Sequence, residues 1–357
     1  MKILFAGGGT LGPVTPLLAV ADEIRRDRPD IECVFVGTPE GPERRLVEEA
    51  GFRFLALASP KFRRYFDLKT LALPIEFGAA LWNAGRIVAR EKPALVVGAG
   101  GYVQVALGYA AKLAGKKLLL HQQDVVPSLS NRLLAPFADA ITTVFKISEN
   151  DFPAAKTETV GNPVRRSIEE GSREKGLKSL GFTGERPVVL AFGGGTGSAF
   201  LNEMIALASA HWTGFADLVH ITGLEKAPGR LPPLEHPERY RRVEFVGADI
   251  AHLMAAADAV IGRSGMGTLT ELAALAKPVI LVPIAGSHQE KNAEYVVEHG
   301  GARMFRELDL TPEQLVTFTH ELLKKPEEAR HLGMRLQAIF RPGARRALAD
   351  KALSLLS

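Results

Sequence analysis

Two stretches constrain this chain most: Leu4-Phe5-Ala6-Gly7-Gly8-Gly9-Thr10-Leu11-Gly12 and Leu190-Ala191-Phe192-Gly193-Gly194-Gly195-Thr196-Gly197-Ser198 echo each other. Each runs a short apolar segment into a glycine loop. An unbroken apolar run bounded by turn signals reads as a strand buried on both faces, as in parallel sheets covered by helices. After residues 3–6, strand-like runs recur at Ile31–Val36, Phe52–Ala56, Ala94–Gly98, Lys117–Leu120 and Ala140–Val144. After Val188–Phe192 they recur at Leu218–Thr222, Val243–Val246, Ala259–Ile261, Val279–Val282 and Arg303–Phe305. Helical patterns separate them, so the chain is expected to be α/β with two parallel sheets. Its 357 residues suit two domains. The irregular connector Val160-Gly161-Asn162-Pro163-Val164-Arg165 places the boundary, giving domains 1–162 and 163–340. A break at Arg341-Pro342-Gly343 suggests that the last helix, 341–357, crosses back to the first domain.

Composition narrows the function classes. The one cysteine, Cys33, lies inside an apolar run, which excludes an intrachain disulfide and a multi-cysteine zinc site and fits a reducing compartment. A net charge of +4 permits an anionic partner, but there is no long Lys/Arg run and no nucleic-acid module. No apolar run reaches the ~18 residues of a membrane span. Met1–Ala6 meets Gly7 too early for a signal peptide, so a cytoplasmic protein is expected.

The stretch 262–292 carries the clearest chemistry. The strand Ala259–Ile261 runs into Gly262-Arg263-Ser264-Gly265, and a helix is expected from about Thr268, with Glu271 in its first turns. The strand Val279–Val282 leads to Ser287-His288-Gln289-Glu290-Lys291-Asn292, which opens another helix. Two successive parallel strands thus deliver polar loops to one sheet edge, where ligands sit in open α/β sheets. Helix starts offer N–H groups and a positive dipole end to phosphate. Gly265 and Gly267 let backbone approach a ligand. Glu271 can accept both hydrogen bonds of a ribose diol, and Gln289 and Asn292 share a helix face suited to sugar hydroxyls. On the residues alone, a nucleotide-sugar site and an ordinary set of capped, solvated helix starts both stand.

Gly7-x-Gly9-x-x-Gly12 has the form of a dinucleotide fingerprint, but the second strand ends Val36-Gly37-Thr38 without the acid that a nicotinamide ribose needs. The loop can still offer N–H groups to a phosphate or sugar. There is no Walker loop, HExxH, GxSxG or Cys/His metal cluster. Residues 61–82 interleave Lys61, Arg63, Arg64 and Lys69 with Phe62, Tyr65, Phe66 and Trp82. That pattern suits an anionic membrane surface as well as a solvated loop and helix.

In order along the chain stand Gly8-Gly9-Thr10…Pro16, Gly37-Thr38…Gly41…Glu43, Gly100-Gly101-Tyr102-Val103 and His121-x-Gln123…Val126-Pro127…Asn131. They continue with Gly161-Asn162-Pro163-Val164-Arg165, Gly193-Gly194…Gly197, Arg263-x-Gly265…Thr268…Glu271 and His288-Gln289…Asn292-Ala293. Together these make essentially the whole chain resemble the MurG family of GT-B glycosyltransferases. The resemblance implies two Rossmann-like parallel-sheet domains facing each other across a cleft. It implies transfer of N-acetylglucosamine from UDP-GlcNAc to lipid I (undecaprenyl-diphospho-N-acetylmuramoyl-pentapeptide), giving lipid II for peptidoglycan with inversion at the anomeric centre. UDP-GlcNAc is then a substrate, and no cofactor or metal is expected. By similarity, the C-terminal domain holds the donor. Glu271 takes the ribose, backbone near Phe245-Val246 takes uracil, and Ser264, Gly265, Met266, Gly267 and Thr268 with Gly194, Gly195 and Thr196 cradle the diphosphate. Arg165 and Gln289 line that site and Asn292 helps with the sugar. Thr10, Leu11, Gly12 and Asp124 are expected to reach the donor from the N-terminal domain. Gly12, Gly101, Tyr102, His121 and Gln122 face the acceptor. Stretch 61–82 matches the region expected to meet the anionic inner face of the cytoplasmic membrane, making the protein peripheral there.

Departures from the family pattern fall mainly on the acceptor side. Gly-Gly-Thr-Gly-Gly-His becomes Gly8-Gly9-Thr10-Leu11-Gly12-Pro13, and Pro13 has neither a base nor an N–H. His-Glu-Gln-Asn becomes His121-Gln122-Gln123-Asp124, and Gly-Gly-Ser-Gln-Gly becomes Gly193-Gly194-Gly195-Thr196-Gly197. Asp124 is therefore the expected general base, with His121 beside it as a second catalytic candidate. Alternatives are a GT-B transferase with a different lipid or small acceptor, a UDP-GlcNAc 2-epimerase, and a catalytically weakened UDP-sugar-binding paralogue. An NAD-dependent oxidoreductase comes last.

Overall fold

The structure, a computed structural model, describes residues 1–60, 73–195, 197–228, 232–247 and 249–356. The chain forms two compact units: Met1–Pro163 with Arg341–Ser357, and Val164–Phe340. The first unit is built on strands β1 (Lys2–Ala6), β2 (Glu32–Gly37), β3 (Arg53–Ala56), β4 (Leu95–Gly98), β5 (Lys117–Gln122), β6 (Ala140–Thr143) and β7 (Thr157–Thr159). They form one parallel sheet in the order β3-β2-β1-β4-β5-β6-β7. The second unit carries β8 (Val188–Phe192), β9 (Asp217–Ile221), β10 (Tyr240–Val243), β11 (Ala259–Gly262), β12 (Val279–Leu281) and β13 (Arg303–Met304), parallel in the order β10-β9-β8-β11-β12-β13.

The unbroken apolar runs have a direct cause. In β1, Ile3 and Phe5 point to one face, towards helices Val14–Asp27 and Ala344–Ser354. Leu4 and Ala6 point to the other, towards helices Leu73–Glu91 and Val103–Leu113. Both faces are buried, so every second position and its neighbour must be apolar. The helix Ala344–Ser354 places Leu348 and Ala352 in the first unit's core, beside Leu17 and Ile24. Arg345 pairs with Glu23 at 3.2 Å on that helix pair.

The strand order reverses between β1 and β4 in the first sheet and between β8 and β11 in the second. Loops diverge at such points and leave a crevice at the carboxyl ends of the strands. Several elements differ from the sequence reading, at their ends or in having been missed. The strand expected at Val243–Val246 lies at Tyr240–Val243, because buried Tyr240 pairs opposite Leu218; Phe245 and Val246 fall in the loop beyond it. The polar edge strand Thr157–Thr159 had no apolar signal to announce it. The helix expected from Thr268 starts at Met266, directly after Gly265.

Candidate functional site

In the second unit, the loops after β8, β11 and β12 meet at the carboxyl edge. Gly265 is the N-cap of helix Met266–Ala274 and supplies no side-chain cap. The first N–H groups of that helix, on Met266, Gly267 and Thr268, have no intrahelical acceptor and form a donor cluster at a positive dipole end. Gly194, in the loop after β8, has φ +81° and open space where a Cβ would stand. Gly197, at φ +69°, lies so close that a Cβ would sit 2.2 Å from the Thr222 carbonyl oxygen. That glycine turn is therefore fixed by backbone, not by side chains. Gly195 is exposed beside it, and Thr196 lies outside the described residues.

Glu271 sits on the helix that follows Gly265 and is 8% exposed. Arg165 donates to one of its oxygens, Oε1, through both Nε (3.0 Å) and Nη2 (2.7 Å). Its other oxygen has no bond among the described residues. Gln289 is half-buried, with its side chain beside Gly265 and its Oε1 accepting weakly from the Ile284 N–H at 3.4 Å. Val246 is half-buried in the loop after β10.

Two donor-site expectations change. Asn292 is fully buried and its Nδ2 donates to the Ser264 carbonyl at 3.1 Å. It braces the loop instead of facing a sugar. Ser264 is also fully buried, and its hydroxyl donates to the Gln289 carbonyl at 2.8 Å, so only backbone of this residue remains for a ligand.

The sequence reading passed over the residue that ties these loops together. Arg263, 4% exposed, donates Nη1 to the Val282 carbonyl at 2.8 Å and Nη2 to both Ser198 Oγ and Glu307 Oε1. Glu307 Oε2 accepts from the Ala285 N–H at 3.0 Å. One guanidinium–carboxylate pair thus joins the loops after β8, β11 and β12. Arg263 stood in a quoted motif, but its partner lies 44 residues on, with no spacing signal to link them.

The first unit has a different edge. Thr10 and Gly12 are exposed, and Leu11 and Pro13 are half-buried, on the loop after β1. The helix start offers little to a phosphate, while the loop before it keeps donors. Val14 and Thr15 both donate to the Leu11 carbonyl at 3.1 Å, and Gly7 and Gly9 donate to Val36 and Glu43. Pro13 and Pro16 have no N–H, so the donors left for an anion are loop N–H groups, on Thr10, Leu11 and Gly12, which have no acceptor among the described residues. Gly101 (φ +86°) packs so tightly that a Cβ would lie 2.7 Å from the Gly8 carbonyl oxygen. Tyr102 is half-buried, with its ring against Gly9.

His121 and Gln122 are corrected. His121 has no exposed surface; Nδ1 lies 3.0 Å from Thr142 Oγ1 and Nε2 3.0 Å from Asn162 Oδ1. Burial pushes its pKa down to about 4. It is a neutral core residue, not a group that touches an acceptor or moves a proton. Gln122, 1% exposed, donates to the carbonyls of Asp124 (2.8 Å) and Val126 (3.1 Å) and accepts from Asn131 at 2.8 Å. It shapes the loop after β5, on which Asp124 stands half-buried at the carboxyl edge. Among the described residues no cluster of three His, Cys, Asp or Glu side chains could hold a metal ion.

Comparisons with known proteins agree with this architecture. The glycosyltransferase family 28 N-terminal domain matches residues 3–143 and the family 28 C-terminal domain matches residues 188–341. A relative from Shouchella clausii is 37% identical over 326 residues, covering 90% of each chain. One from Desulfitobacterium hafniense is 35% identical over 356 residues, covering 96% of each. Both are named UDP-N-acetylglucosamine–N-acetylmuramyl-(pentapeptide) pyrophosphoryl-undecaprenol N-acetylglucosamine transferase. The crystal structure of MurG from Acinetobacter baumannii, 24% identical, superposes with a TM-score of 0.72 over 99% of each chain, a likeness of fold. Two parallel-sheet units of the GT-B type, two matching domains and relatives above 30% identity along most of the length lead to one conclusion: the chain belongs to glycosyltransferase family 28.

Proposed function

We propose that this protein transfers N-acetylglucosamine from UDP-GlcNAc to a polyprenyl-diphosphate-linked N-acetylmuramoyl-pentapeptide, lipid I, with inversion. The observation that carries the donor half is the carboxyl edge of the second sheet. An uncapped helix start stands there beside a buried carboxylate with one oxygen fixed by Arg165 and the other unbonded. The donors on Met266, Gly267 and Thr268, with the Gly194–Gly195 turn, suit a diphosphate and stabilise the charge that develops as UDP departs. The unbonded Glu271 oxygen suits a ribose diol. Gln289, half-buried beside Gly265, suits the sugar, and loop backbone at Val246 suits the uracil.

Asp124 is proposed as the base that takes the proton of the acceptor hydroxyl. With His121 buried and Pro13 unable to titrate, it is the carboxylate left on the loop after β5. The rim of Thr10 to Gly12, with Gly101 and Tyr102, is proposed to meet the acceptor diphosphate and sugar, its loop N–H groups serving as donors.

The lipid part of the acceptor and the membrane surface find support on helix Leu73–Glu91. Ile75 and Trp82 are 78% and 73% exposed there, and Leu113 on the neighbouring helix is 80% exposed. A cavity of about 340 Å³ lies between the two helices, lined by Leu81, Gly85, Val88 and Ala110 and edged by Lys92 and Lys116. Apolar surface with a cationic edge suits the anionic inner face of a membrane. Residues 61–72 of the basic-aromatic stretch lie outside the described residues. No described helix is long and apolar enough to cross a membrane.

The test is transfer of labelled sugar from UDP-GlcNAc to a synthetic lipid I analogue, with UDP-GlcNAc binding followed by calorimetry. Binding with transfer is expected. Binding without transfer would move the protein to another acceptor, and no binding would overturn the donor reading.

A further inference from the structure

The glycines around the loop after β1 have a common neighbour that the proposed reaction does not use. Glu43 is fully buried at the start of helix Glu43–Glu49. Its Oε1 accepts from the Gly9 N–H at 3.1 Å, the Thr38 N–H at 2.7 Å and the Thr38 hydroxyl. All three donors are uncharged, and Oε2 has no partner. A buried carboxylate with a bare oxygen is costly, and such groups persist where the surrounding structure needs them.

The space around it is closed. A Cβ on Gly8 would lie 2.7 Å from Glu43 Oε1, and one on Gly41 would lie 1.9 Å from Oε2 and 2.1 Å from Thr38 Oγ1. On Gly37 it would lie 3.1 Å from Glu43 Cγ. Tyr102, whose ring packs on Gly9, also lies within electrostatic reach of Glu43 and Thr38. One carboxylate therefore joins the loops after β1, β2 and β4.

We propose that Glu43 is the positioning residue of the acceptor side: it sets the shape of the Gly7–Gly12 loop, and through Gly9 the place of the Tyr102 ring, and so governs acceptor binding without touching the acceptor. This rests on the reading that the first unit carries the acceptor. The glycines supply the room and Glu43 supplies the hold, because three donors converge on its one bonded oxygen.

The test uses the full chain with Glu43→Gln and Glu43→Ala. Gln keeps the length and one acceptor oxygen, so it keeps the protein measurable if Ala fails to fold. Amide hydrogen exchange is read first, because it needs no substrate. Peptides covering 7–13 and 38–42 are expected to exchange faster, Ala more than Gln, while β4 and β5 peptides hold their rates. Steady-state kinetics with the lipid I analogue follow. The acceptor KM is expected to rise about tenfold in Ala, with Gln between it and the wild type, while the KM for UDP-GlcNAc stays within about twofold. Unchanged loop exchange in both variants would overturn the proposal. So would equal rises in both KM values, or a fall in kcat alone, since either marks a merely structural residue. Absence of transfer by the wild-type protein would overturn the acceptor reading and this role with it, while exchange would still decide whether Glu43 holds the loop.

Discussion

Arg165 and Glu271 show what a single residue's surroundings add to its type. A carboxylate on a helix near a glycine turn was legible as a candidate ribose acceptor, and Arg165 as a candidate neighbour of the donor. The sequence could not show that Arg165 fixes Oε1 and leaves the other oxygen unbonded. Arg holds a carboxylate with a planar fork that Lys cannot reproduce. Arg165→Lys is expected to raise the KM for UDP-GlcNAc about tenfold with a smaller change in kcat, because Glu271 loses its fixed orientation. Glu271→Gln should weaken UDP binding measured by calorimetry by a similar or larger factor. An unchanged affinity would remove Glu271 from the donor site. Asn292 and His121 illustrate the opposite error. Both are polar residues in family motifs, and both are spent on the fold: Asn292 on the Ser264 carbonyl, His121 on Thr142 and Asn162. Sequence gives a side chain's capacity for hydrogen bonds but not which partner takes it. Asp124→Asn is expected to lower kcat by about two orders of magnitude or more while UDP-GlcNAc still binds; full turnover would remove it as the base.

At the scale of elements, the central strands were legible because burial on both faces leaves no polar position, as in β1, β4, β8 and β11. The edges were not. Strand β7 is Thr157-Glu158-Thr159, and β10 carries Arg241 and Arg242, so neither has the apolar signature. Loop assembly was equally hidden. The Arg263–Glu307 pair joins three loops from residues 44 positions apart. Arg263 is almost fully buried and Glu307 is half-buried. Removing one member of such a pair leaves the other charge stranded, which costs about 3–5 kcal/mol. Arg263→Met should therefore lower the urea midpoint of the second unit and raise the KM for UDP-GlcNAc, since the Gly193–Ser198 turn loses its anchor. The double variant Arg263→Met, Glu307→Gln should recover part of the stability but not the KM. If both singles and the double behave alike, the pair does not act as a unit.

For the whole molecule, each sheet holds one buried neutral histidine. His121 lies on β5 of the first unit. His220 lies on β9 of the second, with Nδ1 2.9 Å from the Tyr240 hydroxyl and Nε2 3.1 Å from Asn202 Oδ1. Burial pushes both down to about 4, from an ordinary value of 6.5. A ring that donates through Nε2 and accepts at Nδ1 satisfies both partners of His220; at His121 the one Thr142 proton is shared between Nδ1 and the Leu120 carbonyl, and in either site a protonated ring would carry a desolvated charge. Above pH 6.5 the ring is neutral folded or unfolded, so its contribution to stability is fully present. As pH falls from 6.5 towards 4, the unfolded chain takes up a proton that the folded protein refuses, and stability drops by up to about 3 kcal/mol per histidine. Below about 4 this loss levels off. Both units should therefore weaken together in mild acid, although they share no histidine. Urea unfolding at pH 7.5, 6.0 and 5.0 reads the slope directly. His121→Gln should flatten it for the first unit and His220→Gln for the second, each at some cost in stability at pH 7.5. If both variants lose stability with falling pH as steeply as the wild type, the acid response belongs to other groups, and the two histidines are neutral in the fold without governing its pH range.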